Sequence, residues 1–259
     1  MFSDLELATN AAIKAGDIIL NYFKSDYEIK EKGYHNPVTT ADKAADNFLK
    51  RTLMEDRPEY GWLSEETVDS FERLNKSKVW IVDPLDGTKE FIEGVANFVV
   101  SIGLVQDGYP IVGVLYNPVS KELFSAANNE GAYLNGLSIK CSSKENLSDM
   151  SLLISRSELR RGLWSPYLKN FHELKPVGSV AYKLGLTAAT KADIFASLRP
   201  KNEWDICAGN CIINETGGKL IDLKGNPRKY NQANTLIEPG LIAGDMDAVD
   251  KTFQVLNSI

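Results

Sequence analysis

Three cysteines and two histidines in 259 residues leave little material for chemistry based on sulfur or imidazole. The three cysteines cannot all pair. Cys207 and Cys211 lie one helical turn apart in a helix-like stretch, which is not the usual zinc or redox spacing, and they read as small buried side chains. His35 and His172 sit far apart in the chain. A histidine-rich zinc site or a Ser-His-Asp triad is therefore hard to assemble, although one histidine could act alone. Positive charge is scarce too: 29 Lys and Arg stand against 35 Asp and Glu, for a net charge of -6. That balance argues against a partner made of nucleic-acid polymer, whose phosphates need many cations. A small anionic substrate stays open, because a bound metal ion reverses the local field. No apolar run approaches the roughly 20 residues that span a bilayer, and MFSDLELATNAAIKAGDIILNYFK lacks the basic start and unbroken apolar core of a signal peptide. Cytoplasmic residence, away from membranes, is the expectation. Any hydrolytic chemistry must lean on carboxylates.

The remaining composition, 43% hydrophobic and 25% charged, is that of a globular chain long enough for one large domain or two fused halves. Leu5, Ala8, Ala12, Ala15, Ile19 and Phe23 recur at helical spacing and predict a first amphipathic helix. Two short strands are expected around Gly33, the second kept extended by Pro37. Thr40 is then expected to cap a second helix from about Ala41 to Glu55. From Gly61 the pattern turns to strands: GWLSEE, then VWIVD stopping at Pro84, then FVVSIGLV and IVGVLYNP around the hairpin signal QDGYP. ELFSAA and GAYLNG continue the sheet. After about Asp149 strands and helices alternate, with one helix placed from Ile206, after the WD pair, to the glycines at 217 and 218. The polar stretch SSKENLSD divides an N-terminal α+β half, residues 1–145, from a C-terminal α/β half, residues 146–259.

The stretch from Val79 to Thr88 is the most informative. A buried strand delivers Asp83 to its end, Asp86 follows, and Gly87 relaxes the backbone where a helix can begin at Thr88. Two carboxylates and the intervening Leu85 carbonyl form a hard oxygen set of the kind Mg²⁺ prefers. The N–H groups at the helix start would face the same space and could hold a phosphate. By itself the stretch reads equally well as an Asp86-Gly87 hairpin turn after a solvated strand end. Glu65 and Glu66 read singly as a solvated acidic turn, Asp205 as an N-cap, and Asp42 as an acid favoured by a helix dipole. The four signals in this order carry more than any one of them.

NPVTTAD, LSEE, WIVDPLDGT and WDICAG, spread over nearly the whole chain, resemble the inositol monophosphatase superfamily of metal-dependent, lithium-sensitive phosphatases. GAYLNG and GSVAYKLGLTAATKAD also match its general pattern. The resemblance implies a layered α-β-α-β-α sandwich, usually a homodimer, with the site between the halves and two or three Mg²⁺ ions as cofactors. It places Glu65, Asp83 and the Leu85 carbonyl on a first metal and Asp83, Asp86 and Asp205 on a second. Asp42 and Thr88 would orient and help deprotonate the attacking water, Glu66 would be a supporting acid, and the Gly87 and Thr88 N–H groups would grip the phosphate. Gly178, Ser179 and Lys183 fall among the implied substrate contacts. Two departures stand out: Asn36 replaces a frequent Asp before Pro-Val-Thr, and Leu198 falls near the place of a ring-binding glutamate.

The run DGTKEF looks closer to the 3'(2'),5'-bisphosphate nucleotidases, and Lys89 could meet an additional phosphate as a point charge. Lys183, Arg199 and Lys201 offer further cations, each of which reads equally as an ordinary surface charge. Adenosine 3',5'-bisphosphate is the leading expected substrate, then inositol-1-phosphate, then fructose-1,6-bisphosphate. A non-catalytic metal or phosphate sensor on the same fold is disfavoured by intact Thr88 and Asp42. No stretch shows the calcium-loop pattern D-x-[DN]-x-[DN]-G.

Overall fold

The computed structural model describes residues 2–33, 36–142 and 144–258. His35, considered above as a lone catalytic group, lies outside them, as does the side chain of Asn36. In chain order come helix α1 (Asp4–Leu20), hairpin strands β1 (Ile29–Gly33) and β2 (Asn36–Thr39), and helix α2 (Thr40–Asp56). Then follow β3 (Gly61–Ser64), β4 (Lys78–Asp86), α3 (Thr88–Ile92), β5 (Val99–Gln106), β6 (Tyr109–Asn117), β7 (Glu122–Ala127), β8 (Gly131–Leu134) and β9 (Leu137–Ser138). The rest comprises β10 (Ser151–Ser155), α4 (Arg156–Arg160), β11 (Glu173–Val177), α5 (Val180–Ala188), β12 (Ile194–Ser197) and β13 (Lys201–Asn202). Helix α6 (Glu203–Glu215), β14 (Gly218–Asp222), β15 (Leu236–Ile237), β16 (Leu241–Asp245) and α7 (Met246–Leu256) complete it.

Strands β3 to β9 form a seven-stranded sheet in sequence order, parallel only between β3 and β4. A second sheet of five strands runs β11-β10-β12-β16-β14. The apolar VWIV run is explained by burial on both faces. Trp80 and Val82 face a core shared with α1 and α2 (Ala8, Ala12, Leu49, Leu53), whereas Val79 and Ile81 face α5 and α6 (Leu184, Ile206, Ile212). Leu153 and Phe195 of the second sheet close that same middle core from the other side. Ala248 and Val249 of α7 pack with Leu152, Ile194 and Ile242 on the outer face. The layers are thus α-β-α-β-α, as the family resemblance implied. Small residues let α6 lie close on the first sheet: a Cβ on Gly113 would sit 2.3 Å from the Ala208 carbonyl oxygen. Cys207 and Cys211 are buried thiols in that contact, as expected of their spacing.

Three local expectations need correction. β4 does not stop at Pro84 but runs on to Asp86, with a bulge between the Asp83↔Ser101 and Asp86↔Val99 pairs that absorbs one extra residue. Proline is tolerated at such an irregularity, where no ladder N–H is required. The cap of α2 is Thr39, not Thr40. Helix α6 begins at Glu203, ahead of the WD pair, with Asn202 as its cap.

Candidate metal centre and its cleft

Asp83 and Asp86 reach the same space because of the bulge. Alternation along a regular strand turns successive odd spacings to opposite faces, and the extra residue cancels that turn. Asp83 Oδ1 accepts the Leu85 N–H at 3.0 Å, which fixes the loop between the two acids. Gly87 follows at φ 106°, and a Cβ there would meet the Asn97 carbonyl oxygen at 2.8 Å. Glycine therefore lets the chain turn directly into α3, and the hairpin alternative is excluded.

Asp205 comes from the first turn of α6. It is the third helical residue rather than the N-cap, and its Oδ2 accepts the Asn202 N–H at 2.8 Å. Asp42 occupies the equivalent place on α2: its Oδ2 takes the Thr39 N–H at 2.7 Å and the Thr39 hydroxyl at 2.5 Å. Both acids thus close reciprocal capping boxes, which orient one carboxylate oxygen and leave the other for chemistry.

One carboxylate oxygen each from Asp83, Asp86 and Asp205 lie within 4.8 Å of one another. Glu65, just past β3 and held by its N–H to the Val82 carbonyl at 3.2 Å, lines the same cleft. Packing acids together out of water raises their pKa values. Asp83 is pushed well up by burial and then by Glu65, Asp86 and Asp205. Asp205 is raised to about 8, by burial and then by Asp86 and Glu65. Asp86 rises only to about 6: burial drives it up, while the Ser179 hydroxyl, Lys183 and the Ala181 N–H hold it down. Such a set of convergent, charge-frustrated oxygen donors fits a hard divalent cation, which would relieve the repulsion.

Beside the acids, the Thr88 hydroxyl lies 3.0 Å from Asp42 Oδ1 and 3.2 Å from the Leu85 carbonyl, both acceptors. Burial raises the Asp42 pKa, opposed by Thr39 and Thr88 and aided by Glu65. Glu66 is half-buried next to Glu65 and is not among the cleft-lining residues; its N–H donates to Ser64 Oγ at 3.3 Å.

The remaining predicted residues fall into two groups. Ser179, at φ 57° and ψ 127°, is strained for a residue with a Cβ. Its hydroxyl donates to Asp86 Oδ2 at 2.5 Å, and the N–H of Ala181 donates to the same oxygen at 2.6 Å. Lys183 is 2% exposed and donates to the Ser179 and Val177 carbonyls at 2.5 and 3.0 Å, with burial lowering its pKa to about 8. Gly178 lies against Glu90, whose carboxyl carbon would be 2.1 Å from an added Cβ. These three line the cleft while bracing Asp86 and α3. Lys89, Arg160 and Arg199 also line the cleft and are exposed, Arg156 is half-buried there, and Lys201 is largely buried, its side chain 13% exposed and its Nζ donating to the Arg199 and Pro200 carbonyls at 3.3 and 3.1 Å. Leu198 instead packs into the outer core. The cleft encloses about 490 Å³, room for a small phosphorylated molecule.

Sequence reasoning missed Asp46, Arg156 and Glu158. Asp46, buried on α2, accepts from Ser64 Oγ at 2.5 Å and Thr67 Oγ1 at 2.8 Å, tying the helix of Asp42 to both sides of Glu65. Its position one turn after Asp42 was an available signal. Arg156 bridges Glu90 of α3 and Glu93 at its C-cap, at 3.0 and 2.7 Å. Glu158, 1% exposed at the cleft, accepts from Trp164 Nε1 at 2.9 Å and Ser197 Oγ at 2.5 Å.

Comparison with known proteins agrees with this geometry. The family model described as "Inositol monophosphatase family" matches residues 3–251. Inositol monophosphatase 3 of Solanum lycopersicum is 36% identical over 234 residues, covering 86% of this chain and 87% of that protein. Nus factor SuhB of Escherichia coli K12 is 32% identical, covering 93% and 91%. Among solved structures, the extragenic suppressor protein suhB of Bartonella henselae superposes with a TM-score of 0.87 at 27% identity, covering 98% of each chain. The inositol monophosphatase of Anabaena sp. PCC 7120 gives 0.82 at 26% identity, covering 98% of this chain and 95% of that one. Sequence, fold and the converging acids lead to one assignment: the chain belongs to the inositol monophosphatase family of metal-dependent phosphomonoester hydrolases.

Proposed function

We propose that this chain is a Mg²⁺-dependent phosphatase of a small phosphorylated polyol, with inositol-1-phosphate as the first substrate to test. The convergence of Asp83, Asp86 and Asp205 beside the Thr88–Asp42 pair carries the reading. Glu65, Asp83 and the Leu85 carbonyl would hold one cation, and Asp83, Asp86 and Asp205 another. Bound there, Mg²⁺ would neutralise the phosphate charge and acidify water. Thr88 can accept a hydrogen bond from the attacking water while donating to Asp42, so a proton can pass through the hydroxyl to a carboxylate whose pKa is already raised. The Gly87 and Thr88 N–H groups would orient the phosphate for in-line attack, with no covalent enzyme intermediate needed. A pure sensor would have no use for the Thr88–Asp42 relay. The halves 1–145 and 146–259 are proposed as the two walls of the cleft. A homodimer and inhibition by Li⁺ belong to the same proposal; light scattering and Li⁺ titration of the activity test them.

A second reading, hydrolysis of adenosine 3',5'-bisphosphate, is favoured by the four cations Lys89, Arg160, Arg199 and Lys201 that line the cleft. The deciding experiment measures kcat/KM with Mg²⁺ for inositol-1-phosphate, adenosine 3',5'-bisphosphate and fructose-1,6-bisphosphate. Preference for inositol-1-phosphate supports the first reading, and preference for the nucleotide selects the second. No phosphate release from any of the three would overturn the enzyme assignment.

A further inference from the structure

Glu203, the residue that opens α6, takes no part in the chemistry above, yet it is among the most completely buried carboxylates, at 0% exposure. It accepts the backbone N–H of Asn231 at 2.7 Å and of Gln232 at 2.9 Å, with Arg228 at 3.9 Å. The Asn231 side chain continues the chain of contacts: its Oδ1 accepts from Arg73 Nη1 at 2.7 Å and its Nδ2 donates to the Arg73 carbonyl at 3.1 Å. Arg73, 2% exposed, also donates to the Gln232 carbonyl at 3.0 Å and forms an ion pair with Asp69 at 2.7 Å. Arg73 lies directly on the start of β3, where a Cβ on Gly61 would come within 3.0 Å of its own Cβ.

One end of this chain of contacts is thus the strand that delivers Glu65, and the other is the helical turn that delivers Asp205. Like charges gathered in one cleft repel, and Glu65 and Asp205 both line it beside Asp83 and Asp86. We infer that Glu203, through Asn231 and Arg73, is a positioning residue that holds Asp205 and Glu65 at metal-binding separation against their mutual repulsion. Glu203, Asn231, Arg73 and Asp69 do not themselves line the cleft, so the effect of the network falls on metal affinity. The inference rests on the metal-centre reading above.

The test uses Glu203→Gln, whose amide has one acceptor for two N–H donors, and Asn231→Gly, which removes the Arg73 partner while tolerating the local φ of 59°. Mn²⁺ binding to the full chain is measured by isothermal titration calorimetry and by the rise of Tm with Mn²⁺. Partners behind metal ligands are typically worth about 10- to 100-fold in affinity, and a loss of that size is expected in both variants. The metal concentration for half-maximal activity should rise by the same factor, with kcat at saturating metal near the wild-type value. A merely structural role would lower Tm and leave Mn²⁺ affinity unmoved; that result overturns the inference while the metal centre stands. Absence of Mn²⁺ binding by the wild type overturns the metal centre itself, and the inference with it. If Glu203→Gln fails to fold, Asn231→Gly alone decides.

Discussion

Replacing Asp205 by Asn should make the metal-free protein more stable while destroying its response to metal. Asp205 carries a pKa raised from 3.8 to about 8 by burial and by its acidic neighbours. An acid whose folded pKa is raised keeps its proton after the unfolded chain has lost it. The folded state then binds more protons than the unfolded one, and stability falls as pH rises from about 4 to about 8. Each pKa unit corresponds to about 1.4 kcal/mol, so several kcal/mol is the upper bound for the wild type at pH 8. Asn keeps the acceptor for the Asn202 N–H and removes one charge, but Asp83, Asp86 and Glu65 still repel one another. A gain of about 2 kcal/mol in metal-free stability is the expectation, or roughly 4–8 °C in Tm at this chain length. Urea unfolding in EDTA at pH 5, 6.5 and 8 measures it. The wild-type curve should lose stability across that range, and the variant should lose less. With Mg²⁺ the order should reverse, because the wild type gains RT ln(1 + [Mg²⁺]/Kd) and the variant loses most of it. If the metal-free variant is no more stable than the wild type at pH 8, the carboxylates do not repel as placed, and the electrostatic account of the site fails.

Thr88→Val should lower kcat by about 10²- to 10⁴-fold, the range of a lost proton-transfer partner, with Tm and metal binding close to wild type; activity retained within about threefold would remove the Thr88–Asp42 relay from the mechanism. Gly178→Ala forces the Glu90 carboxylate away from a Cβ at 2.1 Å and should cost about 1–3 kcal/mol in urea unfolding. Unchanged stability would mean that Glu90 and Arg156 can rearrange freely.

Much of the site was legible because its parts are local. Asp83 and Asp86 share one strand end, and Asp42 and Asp205 each open a helix, so each signal fits within a few residues. What could not be read was tertiary. The bulge that turns Asp83 and Asp86 to one side is a property of pairing with β5, and from the sequence alone proline reads as the end of the strand. The start of α6 was misplaced because the Asn202–Asp205 capping box precedes the hydrophobic pattern that marks the helix. The two-residue strands β13 and β15 are too short to show any period. Lys183 reads in the sequence as a surface or substrate cation, whereas the fold buries it against the Val177 and Ser179 carbonyls, a tertiary contact with no local signal. Arg156 and Glu158 come from a five-residue helix with no motif of its own.

The placement of Asp205 and the brace on Asp86 within the middle helical layer has a consequence for how this chain can diversify. The turns that carry these acids are anchored in a core shared by both sheets, where a change of even one methylene is felt. Arg160 and Arg199, by contrast, are exposed on the short α4 and on the turn before β13. Substitutions there need not disturb the anchored turns. Selection can therefore change the exposed charge around the cleft without rebuilding the cluster of acids inside it.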